Sequence, residues 1–133
     1  MEWLRISTST ELLRVATDEV VCVRADGNYC DLVLANGKSR KITHQLHVFD
    51  GIFRQLENNT FIRVGRSLIV NKRYIYVINL TEQQLILFGG DMKEELVFYG
   101  QARFDQPRDI SLSRDALKEL KEILEKEKRF DYG

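Results

Sequence analysis

The sequence predicts a mainly β fold of antiparallel strands, with one short internal helix and a second helix at the C-terminal end. Its periodicity and punctuation predict it. From Leu12 to Ile42, and again from Phe61 to Phe88, apolar and β-branched residues come in short runs that have the length of strands and are too brief for helices. Asp, Asn and Gly bound several of these runs, as tight turns require. Only two stretches, 43–59 and 113–129, carry apolar residues at the three-and-four spacing that lines one face of a helix.

Leu12–Val15, Val20–Ala25, Tyr29–Leu34 and Lys38–Ile42 read as four successive strands of an antiparallel meander. Asp26-Gly27-Asn28 and Asn36-Gly37 supply residues that accept positive φ between the later runs. The period then changes. Leu46, Phe49, Phe53 and Leu56 share a helical face, with Thr43 as the expected N-cap and Asn58-Asn59 as the expected stop. Gly51 inside this helix lowers its propensity by about 1 kcal/mol relative to Ala, so packing must hold it. Phe61–Val64, Leu68–Val70 and Tyr74–Ile78 follow as strands, and Gly65-Arg66-Ser67 is a connection. Gln84–Phe88 gives another strand, Gly89-Gly90-Asp91 a turn, Glu95–Tyr99 a further strand and Gly100–Pro107 a loop. Ser113 is suited to cap the final helix, Asp115 favours its positive end, and Leu117, Leu120, Ile123 and Leu124 form its apolar stripe. That stripe also offers a second copy of the chain a surface to pack on.

At 133 residues, 44% hydrophobic and 30% charged, the chain fits one domain with a real core. No apolar run approaches the roughly 20 residues needed to cross a bilayer, and the first residues lack the pattern of a signal peptide, so a cytoplasmic location is expected. Enzymatic chemistry is poorly supported: the chain has no phosphate-binding Gly-rich loop, no GxSxG, no HExxH and no cysteine with an evident histidine base. Neither a cofactor nor a metal site is expected; His44 and His47 fall three apart, with no further ligand in step. Cys22 and Cys30 read as buried small hydrophobes. Their even spacing across the expected hairpin puts both on one face, where a diagonal disulfide is conceivable but disfavoured in a reducing compartment.

Zero net charge would ordinarily count against nucleic-acid binding, which requires cations that displace counterions from phosphates. The distribution points the other way. Residues 20–80 hold nine Lys or Arg against four acids, a local excess of +5, while the flanking segments carry the balancing −2 and −3. Within that segment, FIRVGRSLIVNKRYI (61–75) sets Arg63, Arg66, Ser67, Lys72 and Arg73 at turns between apolar strands. The fork of Arg66 suits guanine O6 and N7, and Ser67, Lys72 and Arg73 suit phosphates. Lys38, Arg40 and Lys41, ahead of the internal helix, read equally as phosphate contacts or as a solvated strand edge.

In wording and order, Phe61, Arg63, Arg66, Ser67, Val70 and Asn71 resemble the signature of the LytTR family of DNA-binding domains. Gly65 stands where that family usually has His. The resemblance resumes at Asp109-Ile110-Ser111-Leu112-Ser113-Arg114, which is similar to the family's closing strand, and 91–108 is then an insertion. It implies a single LytTR-like domain over 1–133, with stacked antiparallel β-sheets that dock loops into the grooves of duplex DNA as a transcriptional regulator. Carried over position by position, the family's base contacts fall on Asn28 with Tyr29, on Arg66 and on Arg114. Arg63 is a contact or a structural residue, and Asn71 is better suited to capping a turn. At position 65 glycine can set the turn but cannot touch DNA, so relaxed preference at the adjacent base is expected. The resemblance also implies direct repeats bound by two copies about one helical turn apart. Many family members carry a preceding receiver domain, for which these residues leave no room; control by a separate protein, or membership of a longer chain, is therefore expected. The alternative is a LytTR-shaped protein-interaction module that has lost DNA binding.

Overall fold

The unbroken apolar run Val20-Val21-Cys22-Val23 is wholly buried, as expected of a strand whose sheet is covered on both faces. The computed structural model describes residues 2–56, 59–101 and 112–127. Its strands are β1 (Trp3–Ser7), β2 (Leu12–Ala16), β3 (Val20–Asp26), β4 (Tyr29–Leu34), β5 (Ser39–Ile42), β6 (Phe61–Val64), β7 (Leu68–Asn71), β8 (Ile75–Asn79), β9 (Gln84–Leu87) and β10 (Leu96–Tyr99), with helices α1 (Leu46–Arg54) and α2 (Arg114–Glu125). A five-stranded antiparallel sheet in the order β5-β4-β3-β7-β6 forms the middle layer. On one face the β1-β2 hairpin and α1 bury Leu4, Ile6, Leu46, Phe49 and Phe53 against Val23, Leu32 and Ile69. On the other, the three-stranded sheet β10-β9-β8 and α2 bury Leu85, Phe98, Leu117 and Leu120 against Cys22, Leu68 and Val70. The mainly β architecture with a short internal helix and a C-terminal helix is thus as expected.

Four expectations are corrected. The strand at Leu12 does not open the meander, which comprises β3, β4 and β5 alone. β2 pairs instead with β1, whose alternation of buried Leu4 and Ile6 with exposed Trp3, Arg5 and Ser7 is a strand pattern that the sequence reading passed over. The internal helix is capped at Gln45 rather than Thr43 and ends at Arg54, before Asn59, because it persists only where Leu46, Phe49 and Phe53 reach the sheet. A stacked Phe53-Phe61 pair, 3.9 Å between centroids, then ties it to β6. The two cysteines lie on opposite faces: Cys30 sits opposite Ala25 and Cys22 opposite Val33, so the two-residue turn reverses the parity that even spacing suggested. Both thiols are free. Burial pushes Cys22 up to about 12, so the native chain is expected to leave this thiol unlabelled by a maleimide at pH 8, and labelling without prior unfolding would contradict that environment.

The strand anticipated at Glu95–Tyr99 is present as β10, beside β9. The remainder of the expected insertion, 102–108, residues 109–111 of the expected closing strand, and the end of the expected helix at 128–129 lie outside the described residues. Ser113 caps α2 as expected, its hydroxyl accepting from the Ala116 N–H at 3.0 Å.

Candidate nucleic-acid interface

Register brings two turns to one end of the five-stranded sheet. Gly27-Asn28 joins β3 to β4, with Asp26 opposite Tyr29, and Gly65-Arg66-Ser67 joins β6 to β7, with Val64 opposite Leu68. β3 and β7 are adjacent, Arg24 opposite Leu68, and the Ala25 N–H donates to the Ser67 carbonyl at 2.8 Å, so both turns project from the same rim. β5 ends there too, since Ile42 pairs with Cys30. Gly65 has φ 64°, in the left-handed region where glycine meets no steric penalty and histidine is one of the more tolerated substitutes. The turn is therefore compatible with either residue at position 65.

Arg66 and Asn28 are exposed on these turns, and neither side chain has a hydrogen-bond or ion-pair partner among the described residues. Their neighbours are committed. The Arg63 guanidinium donates to the Arg66 carbonyl at 3.1 Å and lies 3.7 Å from the Asp50 carboxylate, so it braces the turn against α1. Lys41 donates to Asp26 at 3.1 Å and lies 5.7 Å from the centre of the Tyr29 ring. The hydrogen bond with Asp26 raises the Lys41 pKa and keeps it cationic. Tyr29 is 44% exposed, so it is not a core residue. Arg24 meets Asp31 at 3.6 Å and Arg40 meets Glu11 at 2.7 Å. Near the rim, then, Arg24, Arg40, Lys41 and Arg63 each have a carboxylate partner, and the Arg40 pair draws on Glu11 from outside the +5 segment; the exposed pairs are weak enough for a phosphate to displace.

Other candidates lie elsewhere. Lys72 and Arg73 follow β7 at its far end, roughly 13 Å from its Leu68 end at the usual strand rise. Lys72 pairs with Glu127 beyond α2 at 2.7 Å, and the Arg73 guanidinium lies 5.9 Å from the Tyr74 ring centre. Arg114, the exposed first residue of α2, stands at the other end of that helix, about 18 Å from the Lys72 end. No hydrogen bond or ion pair among the described residues joins it to either turn. Asn71 is wholly buried and structural: its Nδ2 donates to the Val20 carbonyl at 2.9 Å and its Oδ1 accepts from the Arg73 N–H at 3.0 Å. Sequence reasoning missed the β1-β2 turn, where Thr8, Ser9 and Thr10 share a polar concavity with Lys41, Thr43 and His44 near the same rim. The only local signal was a cluster of hydroxyl residues.

Stacked antiparallel layers with cationic and amide-bearing turns along one rim make a β domain of a kind suited to nucleic acid. The LytTr DNA-binding domain model matches residues 10–125, and the chain belongs to that family. Its structure is similar to the LytTr DNA-binding domain of a protein from Bacillus cereus described as a methyl-accepting/DNA response regulator, at a TM-score of 0.60 and 18% identity, over 93% of this chain and 97% of that one. Comparison with curated proteins finds no match. Among the described residues no helix is long and apolar enough to cross a membrane, and no three or more His, Cys, Asp or Glu side chains gather as metal ligands.

Proposed function

We propose that the chain binds duplex DNA with sequence preference as a transcriptional regulator, placing the Asn28 and Arg66 turns in a groove while neighbouring cations hold the backbone. The observation that carries this reading is the pairing of two unpartnered side chains, a forked guanidinium and an amide, on adjacent turns of one rim. These are the groups that read guanine and adenine edges. Arg63 would position the Arg66 turn rather than touch DNA, given its bond to the Arg66 carbonyl. Ser67, Tyr29 and Lys41 flank the read bases, with the Lys41 ammonium exchanging Asp26 for a phosphate. Lys72, Arg73 and Arg114 would meet DNA outside this rim, Arg114 on the strength of the family pattern. Two copies on a direct repeat and control by a separate regulator belong to the same reading.

Duplex recovered by wild-type selection from a random pool supplies the test. At fixed salt, Arg66→Ala and Arg114→Ala are each expected to weaken cognate binding by about 1–3 kcal/mol and to flatten base preference. Unchanged affinity and preference in both variants would remove the assignment. Failure to select any duplex, alongside a stable complex with another protein, would favour the interaction module.

A further inference from the structure

The first 19 residues sum to −2, yet they fold to present cations outward. On β1 and β2, Leu4 and Ile6 face the core, while Trp3, Arg5, Leu12 and Arg14 are exposed on the outer face. Of the four acids in this segment, Glu11 pairs with Arg40, Asp18 and Glu19 occupy the 3-10 turn that leads into β3, and Glu2 precedes β1. Arg5 stands directly opposite Arg14 across the ladder. Like charges in that relation repel and destabilise a hairpin. Neither guanidinium has an ion-pair partner among the described residues, and the central carbon of the Arg14 guanidinium lies over the Trp3 ring, 3.9 Å from its centre. Two forked donors on one rung, one of them held by a ring, can grip an anion from both sides, and an anion between them removes the repulsion.

The hairpin's position indicates which anion. Its turn lies beside Lys41–His44, near the rim that carries Asn28 and Arg66. The Arg5-Arg14 rung is two rungs behind Ser7-Leu12, about 7 Å from the end of the ladder. A duplex seated on the rim would carry its backbone past this face. We infer that Arg5 and Arg14 clamp a phosphodiester of the DNA flanking the bases read by the two turns, with Trp3 holding Arg14 in place. This rests on the DNA-binding reading above. The family match begins at residue 10, so β1, with Arg5 and Trp3, lies outside it.

The test measures the salt dependence of binding to the selected duplex and to a scrambled one, for the wild type, Arg5→Gln/Arg14→Gln and Arg66→Ala. The double variant is expected to lose affinity three- to tenfold on both duplexes alike, with base preference intact. The slope of log K against log salt should shrink by about 1–2, one to two phosphate contacts at about 0.9 each. Arg5→Gln alone, which leaves the Trp3-Arg14 stack in place, should reduce the slope by about 1, and Arg5→Lys/Arg14→Lys should retain most of it. An unchanged slope in both glutamine variants would overturn the clamp while leaving the Arg66 reading standing. A wild type that selects no duplex would overturn both.

Discussion

Asn71→Ala is expected to lower folding stability by about 2–4 kcal/mol, because it strands several buried main-chain groups at once. The amide is wholly buried; besides the Val20 carbonyl and the Arg73 N–H, its Nδ2 reaches the Thr17 carbonyl at 3.4 Å. One side chain thus joins the entry to β3, the end of β7 and the 3-10 turn at Lys72–Tyr74. Alanine removes both the donor and the acceptor without offering water a path in. Asn71→Asp is expected to be at least as damaging, since it keeps the acceptor, deletes the donor and introduces a carboxylate at a wholly buried position. Urea unfolding followed by circular dichroism checks both variants. A midpoint within error of the wild type for Asn71→Ala would mean that these bonds are replaceable.

Gly100→Ala is the second substitution expected to act strongly, at about 1–3 kcal/mol or more. A Cβ at position 100 would lie 2.2 Å from the Leu112 carbonyl oxygen and 2.7 Å from Gln83 Nε2. Glycine is needed here because two segments approach too closely for a methyl group. The Gly100 N–H donates to the Gln83 carbonyl at 2.8 Å, and Gln83 Nε2 donates to the Leu112 carbonyl at 3.1 Å, so the β8-β9 turn, the end of β10 and the approach to α2 are fastened at one point. Separating them would expose Leu112 and loosen the packing of α2. Thermal unfolding gives the loss, and amide exchange should locate it in β8, β9 and the first turn of α2 rather than in β3. A wild-type melting temperature would show that the Leu112 carbonyl can move aside at little cost.

These two residues also mark how far the sequence was legible. The turn-capping role of Asn71 could be read from its place before Lys72-Arg73, since an Asn side chain accepts from the N–H two residues on. Its donor half reaches Val20 and Thr17, more than fifty positions away, and no local pattern carries that. Gly100 read only as a loop glycine, because its constraint comes from Leu112. Strand positions were legible wherever apolar residues alternated with turn-forming ones, and β1 was passed over although its alternation is regular. The rim was legible as motif, because Gly65-Arg66-Ser67 and Asn28 sit in turns that the sequence marks. Its electrostatics were not. A charge count along the chain treats Asp26, Asp31 and Asp50 as a separate tally, whereas in space each lies within 4 Å of one of the cations it was weighed against.

The middle sheet sets a distance as well as a direction. In the order β4-β3-β7-β6, the Asn28 and Arg66 turns each bridge a neighbouring pair of strands, so their centres are two strand spacings apart, about 10 Å. B-form DNA advances about 3.4 Å per base pair along each strand. A duplex aligned with that rim would therefore meet Asn28 and Arg66 about three steps apart, a pitch fixed by the backbone ladder that side-chain substitutions cannot retune.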